Sequence, residues 1–515
     1  MKRRDFVRSA AIGSAGICLS GGCSSRKGNF PSKSPNVLFI SVDDLNDWIE
    51  PLGGHPQART PNLKRLASES VHFTHNYCAS PACNPSRTAL LTGLHPTTSG
   101  LYSNYQYWRE VLPDAVTLPR YFADHGYTSL GAGKIFHNDQ PDPDSWDDYF
   151  PSKEKHMPDY FSPRPGGTVN MPPFENMYMA FDWEPLDREL ELTGDYTSVA
   201  WVMQQLRQTH DKPFFLACGI YRPHLPWYVP QKFFDLFPLE TIKLPNVLTD
   251  DLSDVGERAR EIASRGGNYH KHVLEAGQWK QAVQGYLASI TYADTLVGLL
   301  LDALSKSVYA DNTIVILWSD HGWQLGEKEH WRKFALWENV CKTVMMIKVP
   351  PGSPGLPKGS PKGAGCDEIT SLLDIYPTLI DLCGLPKKAG LDGHSLLPLL
   401  KNPKMEWTYP AITTYDFSEF SVRTKRWRYT RYIDDSEELY DHGRDPEEWV
   451  NLAGNPDNAG IIHKLRTHIP ENPAPLKTTS YQISPHHYPP FRTKEEYREW
   501  QKTGQRQWIS SGNSR

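Results

Sequence analysis

The sequence predicts a large layered α/β domain with a mostly parallel central sheet, followed by a smaller lobe with an antiparallel sheet. Two observations support this fold class. Between residues 36 and 349, continuous apolar runs of strand type alternate with helical patterns, which is typical of strands that helices cover on both faces. After Pro403 the pattern changes to short segments of alternating hydrophobicity, which favours an antiparallel sheet.

The predicted elements of the main domain begin with the continuous apolar run Asn36–Val42. A helix is predicted at residues 61–70, with Thr60 as its N-cap and Pro61 at its first position. Further helical patterns lie between the later strands, and the longest covers residues 279–305. These later strand signals recur at residues 127–131, 213–220, 313–318 and 344–349.

The smaller lobe is predicted from three short patterns. Residues 421–432 alternate as in strands, residues 437–440 form a short strand signal, and residues 461–468 have a helical pattern. From about residue 477 the chain is rich in Pro and charge, and we expect it to wrap the surface. The predicted boundaries are therefore 36–402 for the main domain and 403–515 for the C-terminal subdomain and its tail.

The first 23 residues differ from the rest and predict an export signal of the twin-arginine type. The pattern Lys2-Arg3-Arg4-Asp5-Phe6-Val7 precedes an apolar run that is about half the length needed to span a bilayer. Gly21-Gly22-Cys23 resembles a lipid-attachment site, but Ser20 stands where such sites usually carry Leu, so both a lipid anchor on Cys23 and its absence stay open. We expect an exported protein, periplasmic or at the cell surface, with no transmembrane span in its mature part.

Charge and cysteine spacing exclude two classes of function. The formal net charge is −5, whereas a nucleic-acid-binding protein is expected to be basic. Six cysteines follow the signal region, and none forms the CxxC spacing of a zinc cluster. The sequence leaves disulfide pairing open among five of them, and we expect most of these five to be buried free thiols: Cys78, Cys218, Cys341, Cys366 and Cys383.

Two polar patterns follow predicted strands and predict a metal site. Asp43-Asp44 ends the first strand, and Ser319-Asp320-His321-Gly322 follows the strand at 313–318. Alone, each is more simply explained as a turn in which Asp makes local hydrogen bonds. Together, at the carboxyl ends of two strands, they offer hard oxygen ligands and an imidazole to a divalent cation. Bound metal would also offset the repulsion between the carboxylates.

A third pattern, Cys83-Asn84-Pro85-Ser86-Arg87 followed by Thr88-Ala-Leu-Leu-Thr-Gly93, is the most specific in the chain. It resembles the signature of the type I sulfatases, in which Cys-x-Pro-Ser-Arg marks the Cys for conversion to formylglycine. The competing interpretation is a buried thiol before a helix.

The resemblance covers nearly all of the chain after the signal region, roughly residues 36–453. It is closest to the iduronate-2-sulfatase-like branch and implies the alkaline-phosphatase-like fold, with residues 36–402 as the catalytic domain. The segments that carry it are Val42-Asp-Asp-Leu45, Gly131-Ala-Gly-Lys-Ile-Phe-His137, Arg222-Pro-His-Leu-Pro226, Ser319-Asp-His-Gly322, Trp331-Arg-Lys333, Arg423-Thr-Lys-Arg-Trp-Arg-Tyr-Thr430 and Glu438-Leu-Tyr-Asp441.

The resemblance implies a Ca²⁺ ion and a formylglycine made from Cys83 by a maturation enzyme. The ion would lie among Asp43, Asp44, Asp320, His321 and the modified Cys83. A formylglycine hydrate supplies one hydroxyl that attacks sulfur and a second that later expels the sulfate.

The remaining candidate catalytic residues are also implied by the resemblance. Lys134 and Lys333 would bind the sulfuryl oxygens as fixed cations, and Arg87 would orient the formylglycine. His137 is a candidate base for the elimination step, and His224 is a candidate acid on the leaving oxygen. Without the family match, any of these Lys and His residues is more simply explained as a surface charge or a structural His.

The substrate implied is a sulfated oligo- or polysaccharide, either of uronate type or an algal galactan. Three loops, 101–109, 141–187 and 249–277, are expected to shape the sugar pocket. Five side chains are candidates for contact with the sugar, with packing as the competing interpretation: Tyr105, Trp108, Arg109, Trp227 and Trp331.

Two alternatives to a carbohydrate sulfatase stay open. One is a phosphodiesterase or phosphonate monoester hydrolase of the same superfamily. The other is a catalytically silent carbohydrate-binding relative, although such a protein has no need of Cys83.

Overall fold

The structure is a computed structural model that describes residues 34–137, 140–157, 168–175, 177, 178, 180–480, 491 and 493–503. The predicted export signal and Cys23 lie outside the described residues. The strands and helices occur at the following positions, with the strands given first.

The strands are β1 Asn36–Val42, β2 Val71–Tyr77, β3 Thr128–Gly133, β4 Asp148–Phe150, β5 Trp183–Leu186, β6 Phe214–Ile220, β7 Trp227–Pro230, β8 Thr313–Trp318, β9 Gln324–Leu325, β10 Trp331–Arg332, β11 Lys342–Lys348, β12 Ala364–Cys366, β13 Thr370–Ser371, β14 Ala411–Thr414, β15 Phe420–Arg423, β16 Trp427–Arg431 and β17 Glu437–Asp441.

The α-helices are α1 Pro61–Glu69, α2 Cys83–Thr92, α3 Pro96–Ser99, α4 Trp108–Val111, α5 Leu118–Asp124, α6 Gly194–Arg207, α7 Gln231–Phe234, α8 Glu257–Ala263, α9 Tyr269–Glu275, α10 Trp279–Ser305, α11 Glu338–Cys341, α12 Ile375–Cys383, α13 Leu397–Lys401, α14 Ala459–Arg466 and α15 Lys494–Thr503.

The central sheet has nine strands and confirms the predicted α/β class. Its order is β12-β2-β11-β8-β1-β6-β3-β4, and β13 also pairs with β2. The four neighbours β8, β1, β6 and β3 run parallel to one another. Only β11 runs against its neighbours β8 and β2 among the described pairings of this sheet.

Strand β1 lies at the middle of this sheet and is buried along its whole length. Its alternate side chains enter two different hydrophobic cores: Leu38 and Ile40 pack on one face, and Val37 and Phe39 pack on the other. The continuous apolar run in the sequence is therefore a consequence of burial on both faces.

The C-terminal lobe contains the predicted antiparallel sheet, in the order β14-β15-β16-β17. Helix α14 packs on it, with Ile462 and Leu465 in the same small core as Val422 and Leu439. The described residues form one compact unit by their contacts, so the proposed boundary at residue 402 stays a prediction.

Two further features concern helices. Thr60 precedes α1 as predicted but makes no side-chain cap bond, and its hydroxyl accepts a hydrogen bond from the Glu50 N–H. Helix α10 is the one described helix that is long and apolar enough to cross a membrane by length and composition. Most of it is buried inside the protein, as is usual for a core helix.

Candidate active site

The site lies at one edge of the central sheet, where four parallel strands end side by side. Asp43 and Asp44 follow β1, and Asp320 and His321 follow β8 by one intervening residue. Lys134 directly follows β3. Because parallel strands present their carboxyl ends at the same edge, residues far apart in the chain meet here.

Cys83 begins α2 and lies at the centre of these groups, fully buried. Its Sγ atom lies 2.8 Å from Lys333 Nζ and 3.4 Å from His321 Nε2. Asp44 Oδ1 and Lys134 Nζ each lie 3.9 Å from the same sulfur. We call the eight buried residues that meet here the Cys83 cluster: Asp43, Asp44, Cys83, Arg87, Lys134, Asp320, His321 and Lys333.

Arg87 holds the cluster together from the next turn of α2. Its guanidinium donates to Asp43 Oδ1 at 2.8 Å and to Asp320 Oδ2 at 2.9 Å. Its Nη1 group also donates to the hydroxyl of Ser41 at 3.0 Å. One guanidinium thus fixes the carboxylates that follow β1 and β8, as a planar fork of donors allows.

Asp44 adopts a backbone conformation that is rare for a residue with a side chain, with φ at 57°. Its N–H donates to Asp320 Oδ1 at 3.1 Å, and its carbonyl accepts from the Tyr286 hydroxyl at 2.8 Å. Such left-handed conformations persist where the surroundings enforce them, and they are frequent at functional sites.

The cluster surrounds position 83 with positive charge. Burial raises the pKa of the Cys83 thiol, but Lys134 and Lys333 outweigh that effect and leave the pKa below its ordinary value. Lys333 also donates to Asp44 Oδ1 at 2.7 Å, and Lys134 is bonded to Asp43. An anionic group at this position is therefore stabilised.

His224 lies beside the cluster, in the segment that follows β6. Its Nδ1 lies 2.7 Å from the Leu225 carbonyl oxygen, which can only accept, so Nδ1 carries a proton. Its Nε2 then faces the cluster, 3.8 Å from Asp44 Oδ2. Burial, with Lys333 and Lys134 nearby, lowers the pKa of His224 well below its ordinary value.

The remaining predicted residue, His137, lies three positions after Lys134, and its side chain is half-buried. The roles of His137 and of the residues in the Cys83 cluster stay predictions.

The donor set fits a divalent cation. Ligand atoms of Asp44, Cys83, Asp320 and His321 lie within 4.8 Å of one another, and so do those of Asp43, Asp44, Cys83 and His224. The Oδ2 atom of Asp44 is buried and has no hydrogen-bond partner among the described residues. A bound cation would satisfy this oxygen. Repulsion between the three carboxylates is already reduced without a metal ion, because three cationic side chains pair with them.

Most of the side chains proposed to contact sugar are needed for packing instead. Trp108, Trp227 and Trp331 are no more than 1% exposed. Arg109 is paired with Asp142 at 2.7 Å. Tyr105 keeps a half-buried side chain.

A match to a known family identifies the chain. The family model described as Sulfatase matches residues 35–385. The chain belongs to the sulfatase family. A second model, described as N-sulphoglucosamine sulphohydrolase, C-terminal, matches residues 326–474, which include the antiparallel sheet of this sulfatase.

Curated relatives agree with this family. A sulfatase from Formosa agariphila is 39% identical over 471 residues, which cover 88% of this chain and 90% of the relative. Human iduronate 2-sulfatase is 31% identical over 411 residues, covering 72% of this chain and 73% of the relative. The predicted resemblance to sulfatases, including the iduronate-2-sulfatase-like ones, is therefore confirmed.

Solved structures share the fold of this sulfatase. One is a structure in complex with its substrate D-glucosamine-2-N,6-O-disulfate, with a TM-score of 0.67 and 20% identity over 85% of this chain and 97% of that one. Another is the phosphonate monoester hydrolase of Agrobacterium radiobacter, with a TM-score of 0.67 and 22% identity over 84% and 94%. The alkaline-phosphatase-like fold is thereby confirmed.

Proposed function

We propose that this sulfatase hydrolyses a sulfate ester of a carbohydrate, with a formylglycine made from Cys83 as its nucleophile and with Ca²⁺ as its metal. The observation that carries the proposal is the position of the Cys83 sulfur, 2.8 Å from Lys333 Nζ and surrounded by buried charged groups. In this structure the sulfur stands in for the oxygen of the formylglycine side chain.

Each charged side chain of the cluster has a role in the proposed reaction. Lys134 and Lys333 bind the sulfuryl oxygens, where fixed cations stabilise the charge that develops on transfer. Arg87 holds Asp43 and Asp320 in place through two hydrogen bonds and so fixes the walls of the site. His224 protonates the leaving sugar oxygen, and His137 removes a proton from the formylglycine hydroxyl during release of sulfate.

The proposed Ca²⁺ is held by Asp43, Asp44, Asp320, His321 and the modified side chain at position 83. When bound, it polarises the sulfuryl oxygens and lowers the pKa of the attacking hydroxyl. The unsatisfied Oδ2 of Asp44 supports a cation at this place.

The proposed substrate is a sulfated saccharide of glycosaminoglycan type, or a sulfated algal polysaccharide. Relatives named iduronate 2-sulfatase and ulvan-active sulfatase support these two classes. A solved structure of the same fold holds a disulfated glucosamine as its substrate. The proposal also includes export to the periplasm or cell surface, which rests on the twin-arginine pattern.

Peptide mass spectrometry of purified active protein tests the proposal. The peptide that contains position 83 is expected to lack sulfur and to carry an aldehyde, and Cys83→Ala is expected to keep its fold and lose turnover. Elemental analysis of the same sample is expected to find calcium at one equivalent. An unmodified thiol in a fully active sample, or zinc as the only stoichiometric metal, would contradict the proposed mechanism.

Turnover should also be measured on a sulfate ester, a phosphate diester and a phosphonate monoester. The shared fold with a phosphonate monoester hydrolase is the reason for this comparison. Faster turnover of either of these than of any sulfate ester would favour the alternative activity.

A further inference from the structure

Arg332 lies beside the proposed reaction centre and has no role in the function proposed above. It ends the short strand β10, directly before Lys333, whose Nζ contacts the Cys83 sulfur. Its side chain is half-buried. Its backbone has φ at 80°, and this conformation costs free energy in any residue that carries a Cβ atom.

Aromatic side chains surround the Arg332 guanidinium. Its central carbon lies 4.6 Å from the ring centre of Tyr178 and 5.3 Å from that of Tyr269. Its Nη1 donates to the Tyr269 hydroxyl at 3.0 Å. The ring centre of Phe334 lies 5.7 Å from the same carbon.

These aromatic residues come from separate parts of the chain. Tyr178 lies in segment 141–187, and Tyr269, the first residue of α9, lies in segment 249–277. The sequence predicts both segments around the sugar pocket. The guanidinium therefore lies where these two segments meet.

Tyr178 also connects Arg332 to the proposed reaction centre. Tyr178 lies 6.4 Å from the ring of His224, and His224 Nε2 lies 3.8 Å from Asp44 Oδ2. Tyr178 is 38% exposed, so this side of the site is open to solvent.

Arg332 has no anionic partner among the described residues, in contrast to four buried arginines of this chain. Arg87, Arg258, Arg423 and Arg428 each contact at least one carboxylate at 3.1 Å or less. The Nε atom of Arg332 is buried and makes no hydrogen bond to any described residue. A guanidinium removed from water without an anion loses solvation that π contacts only partly replace.

We propose that Arg332 binds a second oxyanion on the sugar that carries the scissile sulfate, either a uronate carboxylate or a second sulfate group. This inference rests on the proposed carbohydrate sulfatase function and specifies the substrate class. Arg332 is the specificity residue of the pocket: no carboxylate among the described residues pairs with its guanidinium, and the planar donors of a guanidinium match two oxygens of such an anion. The aromatic side chains of Tyr178, Tyr269 and Phe334 position the guanidinium and pack against it.

The test compares substrates with and without a second anion. The substrates are 4-nitrophenyl sulfate, a neutral monosulfated hexose, a monosulfated hexuronate and a disulfated hexose. The variants are Arg332→Gln and Arg332→Lys, and both keep a Cβ atom so that the backbone cost at this position is unchanged. Arg265→Gln is the matched control, because Arg265 also lies over Phe334 but is already paired with Asp416.

We expect Arg332→Gln to lower kcat/KM about 10- to 100-fold on a substrate with a second anion, by the usual strength of charged hydrogen bonds. On the two substrates without a second anion the change is expected to stay within about 3-fold. Arg332→Lys should fall between wild type and Arg332→Gln, since it keeps the charge and loses the fork. Arg265→Gln should change all four substrates by the same factor.

The two doubly anionic substrates separate the sources of the anion. A selective loss on the hexuronate assigns a carboxylate, and a selective loss on the disulfated hexose assigns a sulfate. Equal losses on all four substrates for Arg332→Gln would overturn the proposal and leave Arg332 with a structural role. Wild-type protein with no turnover of any sulfate ester would instead contradict the proposed function itself.

Discussion

At the scale of single residues, the site depends on which atoms are left without a partner. His224 has its Nδ1 proton fixed by the Leu225 carbonyl, so only Nε2 can exchange a proton with a ligand in the site. The low pKa leaves Nε2 without a proton in the substrate-free protein. His224 can therefore act as the acid only if the anionic substrate raises its pKa, with the leaving oxygen entering from the open side near Tyr178.

His224→Ala is expected to lower the rate on a sugar sulfate about 10²- to 10⁴-fold, by the usual size of general acid catalysis. The loss on 4-nitrophenyl sulfate should be much smaller, because nitrophenolate leaves without a proton. Steady-state kinetics on both substrates measures the difference. The control is His95→Ala, a buried His outside the cluster, which should change both rates by one factor. Equal losses for His224→Ala would remove its role as the acid.

At the scale of elements, the segment after α2 depends on the C-terminal tail. Asn84 donates to the carbonyl oxygens of Ser103 and Gln106, and this joins the start of α2 to loop 101–109. The tail then crosses the same loop: the Lys477 N–H donates to the Gly100 carbonyl, and the Gln106 amide donates to the Lys477 carbonyl. The tail therefore supports one wall of the predicted pocket.

Gly100→Ala tests this support. Gly100 has φ at 78°, and an added Cβ would lie 2.5 Å from the Pro475 carbonyl oxygen, so the tail must move. Gly53→Ala is the matched control, with φ at 72° and nothing within 4 Å of the added atom. Both substitutions should lower the free energy of unfolding by about 1–2 kcal/mol because of the left-handed backbone. Gly100→Ala should lower it by about 1–3 kcal/mol more because of the steric contact.

Thermal unfolding and kcat/KM are the measurements for this pair of variants. The Tm of Gly100→Ala should fall below that of Gly53→Ala, and its KM for a sugar sulfate should rise. Equal Tm and KM values in the two variants would show that the tail contact does not support loop 101–109.

The strands that the sequence predicts best are those buried on both faces of the sheet. The apolar runs of β1, β6 and β8 and the long pattern of α10 identify these elements because every side chain along each strand is buried. Strand β2 was missed because its burial alternates, and His72, Thr74 and His75 interrupt the apolar pattern. The direction of β11 was not predictable either, since periodicity carries no information on strand orientation.

The site was predictable to the extent that motifs mark strand ends. Asp43, Lys134 and Asp320 meet because their strands are neighbours in the sheet, an order that the sequence does not state. Arg332 lies inside a motif segment, but the sequence does not mark it as a site residue, because its lack of a carboxylate partner is visible only in the folded structure. A cationic residue between Trp331 and Lys333 was the available signal.

At the scale of the whole molecule, a buried ion network joins the main sheet to the C-terminal lobe. Glu338 of α11 accepts from Arg423 at 3.1 Å and from Arg428 of β16. Arg428 Nε lies 2.6 Å from Glu448 Oε1, and His442 Nε2 lies 2.9 Å from the same oxygen. This group has ligand types suited to a metal, but its arginines already balance its carboxylates.

Arg428→Met is expected to lower the free energy of unfolding by about 3–5 kcal/mol, because it removes the buried cation that Glu338 and Glu448 share and leaves Glu448 with no arginine partner. Thermal unfolding is the measurement. The double variant Arg428→Met with Glu448→Gln should recover part of the loss, since it removes one of the stranded charges. A Tm for Arg428→Met equal to that of wild type would contradict this account.

The site can form only after β8 and His321 have been synthesised, because its residues come from distant parts of the chain. Cys83 is fully buried in the finished protein, and 238 residues separate it from His321, which it contacts. At roughly 5–20 residues per second, the ribosome needs about 12–48 s to make this stretch of 238 residues. During that interval the Cys83 segment has no β8 to pack against, so it is accessible as nascent chain. A maturation enzyme that acts on Cys83 would meet its target in this interval, before the sheet closes over it.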